Sequence, residues 1–397
     1  MTADTVLIAA LSGRGLAASA RRAGYLPLVA DAFGDSDTAD VAAAAHCVTD
    51  AARIGIRAKP VFSALADLEA AAPSPPIGLV LGSGFEDRPK LIAALSRRFR
   101  LIGNGAETVA RAKNPAGFFA LLDTLGIAHP ATQLAPPSAM GGWLSKRVGG
   151  SGGTHVIGAA AAERSPRRYY QRRLDGVPHS VLAVAAKDAV HIVGISRQWT
   201  VGRGPRPFRY GGAVGPVQLP IAVDASMRGA AQAVCAALGL IGLVAFDFLV
   251  VGDVPFLIEV NPRPGATLDV FDDASGALFR AHVDACGGKV PRLPAQHGAR
   301  AAAILYADSE PLTVDAVRWP EWTADRPPPG TRVPRYRPIA TVFAAAEAPD
   351  TAFESCCRSL DELAEMLYAQ APNREQNDNA EVQRPRPERL RARSEAR

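Results

Sequence analysis

Short apolar runs alternate with polar turns and helical patterns over the first hundred residues of the chain. An apolar run over 5–10 is followed by a glycine-bearing turn, a helical pattern and a second apolar run that ends at Asp31. Apolar runs return at 78–83 and 100–105, again with helical patterns between them. Strands that alternate with helices in this way favour a parallel sheet with crossover helices. We therefore expect a small doubly wound α/β domain over residues 1–105.

The pattern changes after residue 105, where short strands lie between helical segments. A hairpin is predicted to turn at Lys187–Asp188, a helix is predicted at 159–164, and Asp224 is the expected N-cap of another helix. Antiparallel strands beside a βαβ domain indicate an α+β arrangement rather than one Rossmann sheet. A proline-rich stretch at 321–334 joins the strands of a smaller unit. The predicted division is 1–105, 106–292 with lobes at about 106–176 and 177–292, a β-containing unit at 293–370, and a tail at 371–397.

The composition is that of a soluble globular protein with several domains. The chain has 397 residues, of which 48% are apolar and 21% charged. No apolar run reaches the roughly 18 residues of a membrane span, and the first run lacks the basic flank of a signal peptide. The five cysteines show no CxxC spacing. We expect a reduced, cytoplasmic protein.

Charge gives little support to a nucleic-acid or membrane partner. The net charge is +5, and residues 373–397 form a polar, arginine-bearing stretch. Acidic residues are interspersed in this stretch and no aromatic residues interleave, so a solubilising disordered segment is the preferred interpretation. We expect small-molecule partners, no nucleic acid and no membrane. The oligomeric state stays open, with a homodimer among the options.

The stretch 245–272 is a predicted hairpin that carries ionisable groups in an apolar setting. Two β-branched runs flank the turn signal Gly252–Asp253, and they contain Asp247, Glu259 and Asn261. Burying a carboxylate without a partner is costly, so a positive group is expected between the strands. Side chains alternate along a strand, which places Glu259 and Asn261 on one face and Asp247 across from them. Three hard oxygen ligands suit a Mg²⁺ ion that keeps water and phosphate oxygens as its other partners.

Two lysines and a glycine loop favour phosphate binding. Lys146 ends a predicted strand and precedes a cluster of glycines, and Lys113 stands earlier in the chain. Glycine backbones bring N–H groups close to phosphate oxygens, and lysine is a point-charge partner for phosphate. The alternatives are a flexible hairpin loop and a solvated lysine at a helix start. The glycines are Gly149, Gly150, Gly152 and Gly153.

Three further features complete the candidate site. The strand end Gln171–Leu174 can present backbone groups to an adenine edge, with an amphipathic strand and turn as the alternative. Arg263 follows the hairpin carboxylates and can meet a phosphate or an acyl phosphate. A glycine-rich segment holds Arg203, Arg206 and Arg209. We expect a substrate loop with Arg209 nearest the chemistry, against the alternative of an exposed basic loop.

The chain resembles the ATP-grasp superfamily in the order of its motifs. These are the two lysines with the glycine loop, the strand end and the D…ExNxR pattern of the hairpin. The resemblance covers roughly residues 1–345, and the string EVNPR after the FDF strand is its most specific element. It implies a mixed α/β and α+β protein. The expected parts are an N-terminal Rossmann-like pre-ATP-grasp domain, a two-lobed ATP-grasp domain and a small C-terminal β-containing subdomain.

The resemblance also implies a role for each matching residue. The implied ligands of ATP are Lys113, Lys146, Gly149, Gly150, Gly152, Gly153, Gln171 and Leu174. The implied ligands of one or two Mg²⁺ ions, with Mn²⁺ as an alternative, are Asp247, Glu259 and Asn261. Arg263 would face the transferred phosphoryl group, and Arg209 is our second candidate catalytic residue.

Two positions depart from the family pattern. Many members carry an acidic residue after the hinge glycine to hold the ribose, where this chain has Pro178 and His179. Many also carry arginine two residues before the first metal-binding aspartate, where this chain has Ala245. The stretch 14–38 looks like the start of a branch of predicted carboligases of methanogens and methylotrophs. Some relatives near that branch ligate glutamate in methanopterin- or methylofuran-type cofactors.

The implied chemistry is transfer of the ATP γ-phosphoryl group to a carboxylate, followed by capture of the acyl phosphate by an amine. A carboxylate is already a nucleophile, so catalysis rests on alignment and charge neutralisation. Two other interpretations stay open. One is carboxylation through carboxyphosphate in the manner of biotin carboxylase, and the other is a non-catalytic nucleotide-binding protein.

Overall fold

The computed structural model describes residues 3–48, 50–293 and 295–369. The predicted tail at 371–397 lies outside the described residues. Within the described ranges, no helix combines the length and the apolar character that a membrane crossing requires.

The first hundred residues form a parallel sheet with helices on both faces, as the sequence predicts. The strand order is β3-β2-β1-β4, and β1 pairs in parallel with both β2 and β4. The strands are β1 Thr5–Ala9, β2 Leu26–Asp31, β3 Ala44–Cys47 and β4 Leu79–Leu81. The helices are α1 Arg14–Arg22, α2 Ser36–Val41, α3 Ala51–Ile54, α4 Ala58–Ala70 and α5 Pro89–Ser96. Ligands of such sheets bind beyond the carboxyl ends of the strands, which here lead into loops at 10–13, 32–35 and 82–88.

A small antiparallel sheet follows two helices. The helices are α6 Ala106–Lys113 and α7 Pro115–Thr124, and the side chain of Asn114 caps α7 by accepting from the Gly117 N–H. The strands, in the order β5-β8-β6-β7, are β5 Thr132–Gln133, β6 Trp143–Arg147, β7 Ile157–Gly158 and β8 Arg168–Arg172. The glycine loop joins β6 to β7, so it lies at the end of this sheet.

The largest sheet has eight strands and extends through the rest of the chain. Its order is β13-β12-β9-β10-β11-β14-β18-β16. The strands are β9 Val177–Ala186, β10 Ala189–Thr200, β11 Tyr210–Gly215, β12 Gly242–Val251, β13 Val254–Asn261, β14 Ala299–Tyr306, β16 Thr323–Ala324 and β18 Pro338–Ala346. A separate pair consists of β15 Leu312–Thr313 and β17 Arg332–Val333. Because β14 pairs with β11, the predicted boundary at residue 292 falls between strands of one sheet, and the division into domains stays a prediction.

Helices cover both faces of this sheet. They are α8 Ile221–Leu238, α9 Leu268–Phe271, α10 Ala277–Cys286 and α11 Pro349–Ala369. One core joins the N-terminal sheet to the large sheet through α1 and α10, with Val29, Phe279 and Leu243 among its buried members. A second core packs α7 and α8 against the opposite face. The N-terminal sheet is therefore fixed against the large sheet by continuous apolar packing.

His282 ties the same two parts together with hydrogen bonds. It lies in α10 and is 1% exposed. Its Nδ1 accepts from the Leu243 N–H at 2.8 Å, and its Nε2 lies 3.0 Å from the carbonyl of Ile102. Burial lowers the pKa of His282 to about 4, so the ring is neutral and its Nε2 proton goes to that carbonyl.

Two local predictions are wrong. The predicted helix at 159–164 is a single 3₁₀ turn, Ala159–Ala161. The helix expected to be capped by Asp224 begins earlier, at Ile221, with Pro220 as the residue before it. Proline fixes its own φ near the value a helix start needs, and Asp224 instead lies in the first turn, where a carboxylate favours the helix dipole. Its carboxylate pairs with Arg228 one turn later, at 2.5 Å.

Candidate active site

One large cavity collects nine of the thirteen candidate residues, while Lys113, Gly149, Gly150 and Arg209 lie outside its lining. Its volume is about 1060 Å³, which gives room for a nucleotide and a second small molecule. Loops at the carboxyl ends of β1, β2 and β4 form one wall, and the glycine loop and the β12–β13 hairpin form others. Segments near residues 325–341 close the remaining side. The predicted site residues on its walls are Lys146, Gly152, Gly153, Gln171, Leu174, Asp247, Glu259, Asn261 and Arg263.

The hairpin brings its two carboxylates together across paired strands. Asp247 is the register partner of Glu259, and Ala245 is that of Asn261. A bulge directly after Asp247 shifts the register at that point. The amide Nδ2 of Asn261 donates to Asp247 Oδ2 at 2.9 Å, so the three oxygen-bearing side chains form one cluster.

Lys113 is the positive group that the hairpin requires. Its Nζ lies 2.5 Å from Glu259 Oε1 and 3.0 Å from Asn261 Oδ1, and the lysine is 8% exposed. Burial alone would raise the pKa of Glu259, but Lys113, Lys146 and His155 together lower it to about 2. Glu259 is therefore ionised at every working pH, and Lys113 is a buried partner rather than a solvated lysine at a helix end.

The pKa of Asp247 is shifted in the opposite direction from that of Glu259. Burial and the neighbouring charge of Glu259 raise the pKa of Asp247 above its usual range. A divalent cation between the two carboxylates would remove this repulsion, so the donor set fits Mg²⁺. No group of three or more His, Cys, Asp or Glu side chains in the described ranges is arranged to enclose a metal. The remaining ligands of such an ion would have to be the Asn261 amide, water and phosphate oxygens.

Lys146 lies on β6 beneath the glycine loop. It is 5% exposed, and its Nζ donates to Gln171 Oε1 at 3.2 Å. Burial lowers its pKa, and the charges of Glu259 and Asp247 oppose that effect. The side chain of Gln171 is also engaged with Thr132, since its Nε2 donates to the hydroxyl at 3.1 Å. Gln171 therefore orients Lys146.

The strand end predicted to meet adenine has part of its backbone already engaged. The N–H of Arg172 donates to Ala131 and that of Arg173 donates to Gly142. The N–H of Leu174 has no partner among the described residues, and Leu174 lines the cavity. An adenine edge would thus find its backbone donor at Leu174 or beyond.

The glycine loop needs glycine for two separate reasons. Gly149 has φ +67°, and a Cβ there would come within 2.7 Å of the Asp87 backbone. Gly153 has φ +69°, and a Cβ there would collide with the Phe208 carbonyl. The carbonyl of Gly152 accepts from the Tyr210 N–H at 3.0 Å, which holds the loop down over the cavity. These contacts favour a folded lid over a freely flexible turn.

Arg263 reaches the cavity from a buried ion pair. Its Nε lies 2.7 Å from Glu86 Oε1, and the other oxygen of Glu86 accepts from the Gly84 N–H at 2.7 Å. Burial would raise the pKa of Glu86, but Arg263 and Lys113 lower it. Glu86 thus fixes the guanidinium from the N-terminal sheet. Glu86 was missed because it follows a strand that is remote in sequence.

Arg209 does not reach the cavity, which corrects its prediction as the arginine nearest the chemistry. It is 0% exposed, and its two terminal nitrogens bind both oxygens of Asp308 at 2.8 and 2.7 Å. Its guanidinium carbon lies 3.6 Å from the centre of the Tyr306 ring. Arg206 is also engaged, because its NH1 donates to the Tyr336 carbonyl. This arginine loop braces the C-terminal strands.

Arg14 also lines the cavity, and the motifs of the sequence did not identify it. It follows the first strand, at the start of α1. Its guanidinium binds both oxygens of Asp269 at 2.7 Å and lies 3.1 Å from both oxygens of Asp325. Asp325 has φ +53°, a rare conformation for a residue with a side chain. The available signal was the position of Arg14 in the loop after a first parallel strand, where ligands of such sheets bind.

Residues 117–267 match the profile of a family described as ATP-grasp domain. The large chain of carbamoyl phosphate synthase from Myxococcus xanthus is 23% identical over 236 residues, which is 53% of this chain and 22% of that protein. The chain therefore spans only about a fifth of the length of the curated relatives it matches.

Several solved structures resemble nearly the whole chain, including a biotin carboxylase and an amino acid ligase. Biotin carboxylase from Campylobacter jejuni, solved as a β-γ-ATP complex, superposes with a TM-score of 0.66 at 15% identity, covering 90% of this chain and 91% of that one. L-amino acid ligase from Bacillus licheniformis superposes with a TM-score of 0.65 at 14% identity, covering 91% and 98%. At these identities the likeness concerns the fold.

Proposed function

Because the chain carries an ATP-grasp domain, we propose that it is an ADP-forming ligase that phosphorylates a carboxylate and joins the acyl phosphate to an amine. The observation that carries the proposal is the cluster of Asp247, Glu259 and Asn261 against the Lys113 ammonium, on the wall of a cavity with room for two molecules. A buried set of opposite charges that faces a cavity is typical of a catalytic site.

The charge of each site residue determines its proposed role. Lys146 and Lys113 would face the phosphates of ATP, with the glycine loop above them. Mg²⁺ held by Asp247, Glu259 and Asn261 would supply charge neutralisation at the β- and γ-phosphates. The Lys113–Glu259 pair orients both groups, with Nζ 2.5 Å from Oε1. Binding of metal and nucleotide would let each partner turn to its own ligand.

Arg263 would stabilise the charge that develops on the transferred group. Its guanidinium is oriented by Glu86, so little reorganisation is needed when the phosphoryl group moves. The amine then attacks the carbonyl carbon of the acyl phosphate, the C–N bond forms and inorganic phosphate leaves, without a covalent enzyme intermediate. The carboxylate of the substrate is the nucleophile in the first half, and the amine is the nucleophile in the second.

Glutamate ligation in a methanopterin- or methylofuran-type cofactor is the narrower substrate proposal. It rests on the resemblance of residues 14–38 to the start of the predicted carboligases of methanogens and methylotrophs. The acid must also be small enough to fit in the cavity together with ATP. Glutamate and its small amides are accordingly the first acids to try.

The test is a screen for ADP release with ATP, Mg²⁺, an acid panel and hydroxylamine. Hydroxylamine captures acyl phosphates, so the correct acid yields an acyl hydroxamate in step with ADP. Bicarbonate belongs in the same panel, because ADP release with bicarbonate alone would favour the carboxylase-type alternative. Absence of hydroxamate with every acid, from folded protein that binds ATP, would contradict ligase chemistry.

A further inference from the structure

Five carboxylates gather where the N-terminal sheet meets the C-terminal strands, at one end of the cavity. They come from the end of β2, the loop that follows it, the helices α2 and α9, and the residue after β16. They are Asp31, Asp35, Asp37, Asp269 and Asp325. Arg14 is the one cation that the described contacts place among them.

Four of these carboxylates have their hydrogen bonds supplied by the protein. Asp31 accepts from the N–H groups of Gly13 and Gly34, at 3.2 and 2.9 Å. Asp37 accepts from two N–H groups of the 325–326 segment, both at 2.9 Å. Asp269 and Asp325 share the guanidinium of Arg14. Each of these four groups is accounted for as part of the fold.

Asp35 is the exception. It is 4% exposed and lines the cavity, yet its carboxylate accepts no hydrogen bond from any other described residue. Burial, and after it the charges of Asp325, Asp31 and Asp37, raise the pKa of Asp35 to about 8, with Arg14 acting in the opposite direction. Its oxygens are not among the fully buried side-chain atoms that lack a partner, so they open onto the cavity, where a ligand can supply the missing donors. The position lacks a cation that can donate hydrogen bonds.

We propose that Asp35 binds the ammonium group of the second substrate, a primary amine that enters at the N-terminal end of the cavity. The Asp35 carboxylate then accepts the proton that the ammonium loses before its nitrogen attacks the acyl phosphate and phosphate leaves. The proposal rests on the proposed function and narrows its amine. An ammonium supplies both the positive charge and the N–H donors that Asp35 lacks. Bicarbonate is disfavoured at this end, because carboxylates outnumber the one guanidinium described among them and that guanidinium is already paired with Asp269 and Asp325. The wall beside Asp35 includes the partly exposed ring of Phe33, which can cover an alkyl or aromatic body.

The experiment measures amine binding by calorimetry to the full chain, in the presence of MgADP. The probes are butylamine, 1,4-diaminobutane and L-lysine, with 1-butanol and 1,4-butanediol as uncharged controls. The wild type is expected to bind at least one amine, with a Kd in the millimolar range or tighter, and neither alcohol. In Asp35→Asn the affinity for that amine should fall at least tenfold. Asp188→Asn, at an exposed hairpin turn, is the matched control and should leave it unchanged.

Failure of this inference is distinct from failure of the proposed function. Amine binding that is absent in the wild type, or equal in Asp35→Asn and the wild type, overturns the inference even if the acid screen yields hydroxamate. Conversely, an acid screen without hydroxamate contradicts the ligase while amine binding stands. The melting temperature of Asp35→Asn verifies that it is folded. If it is not, Asp35→Ser takes its place, and amine affinity equal to that of the wild type in a folded Asp35→Ser overturns the inference.

Discussion

Glu259 has two roles in this account. Its carboxylate pairs with Lys113, and it is also a proposed ligand of the metal ion. Its low pKa, about 2, keeps it charged for either role. The hairpin pattern predicted that a positive group lies near the two carboxylates, but the sequence did not identify that group. Lys113 precedes the hairpin by more than a hundred residues, and only the folded chain brings the two together.

Glu259→Gln is expected to lower turnover by about two orders of magnitude or more, because charge stabilisation at a metal site is worth several kcal/mol. The change removes a charge and almost no volume, so the variant should fold. Steady-state ADP release is the measurement. The matched control is Asp253→Asn at the exposed hairpin turn, which should keep full activity. Normal turnover by folded Glu259→Gln at ordinary Mg²⁺ concentrations would reject the metal assignment.

Arg209→Ala is expected to lower stability rather than substrate affinity. The change leaves Asp308 without its bidentate partner and opens a space beside Tyr306. Since Asp308 retains access to water, the expected loss is about 1–3 kcal/mol. Thermal unfolding of Arg209→Ala measures this loss of stability. The control is Arg203→Ala, at an exposed position of the same loop. An unchanged melting temperature together with a raised KM for the acid would restore Arg209 as a substrate ligand.

At the level of elements, the sequence pattern predicted those strands and turns that depend on residues close together in the chain. The first parallel strands, the turn at 187–188 and the hairpin at Gly252–Asp253 were confirmed, because periodicity and turn residues determine them within a short window. The helix at 221–238 was placed too late, because Asp224 was preferred as a cap over the proline before the helix. The buried pairing of Arg209 with Asp308 had no local signal at all.

The glycine loop and its lysine provide the test at this scale. Lys146→Ala should weaken ATP binding by about 1.5–3 kcal/mol, the usual worth of a hydrogen bond to a charged group. Calorimetry with a non-hydrolysable ATP analogue measures the change. Lys187→Ala, at the exposed turn of the β9–β10 hairpin, removes the same charge and should bind normally. Equal affinity in both variants would mean that the loop is only a turn.

For the whole molecule, the sequence predicted an α/β unit before antiparallel strands and, through its motifs, the ATP-grasp fold. It could not predict that the C-terminal strands extend the same sheet, since strand order across the chain leaves no mark in periodicity. It also could not locate the end of the cavity formed by Arg14 and Asp35. That end exists only where loops from residues 12–35 meet the 325–341 segment.

His282, which links the N-terminal sheet to the large sheet, makes the free energy of unfolding depend on pH in the acid range. Its folded pKa of about 4 lies below its unfolded value, so the unfolded chain binds more protons between pH 4 and 6.5. The stability that it contributes is present above pH 6.5 and is lost as the pH falls toward 4, by up to ~3 kcal/mol. His282→Gln should flatten the unfolding free energy over this window, as chemical denaturation at several pH values would measure. A wild-type slope retained in this variant would assign the acid sensitivity to other groups.

The central claim is that ATP phosphorylates a carboxylate in this cavity, and transfer of an oxygen isotope tests it most directly. The acid identified by the hydroxamate screen is labelled with ¹⁸O in its carboxylate and incubated with ATP, Mg²⁺ and its amine. If an acyl phosphate forms and the amine displaces phosphate, each inorganic phosphate released carries one ¹⁸O from the acid, visible by ³¹P NMR. Unlabelled phosphate, released as fast as the amide product forms, would contradict the account.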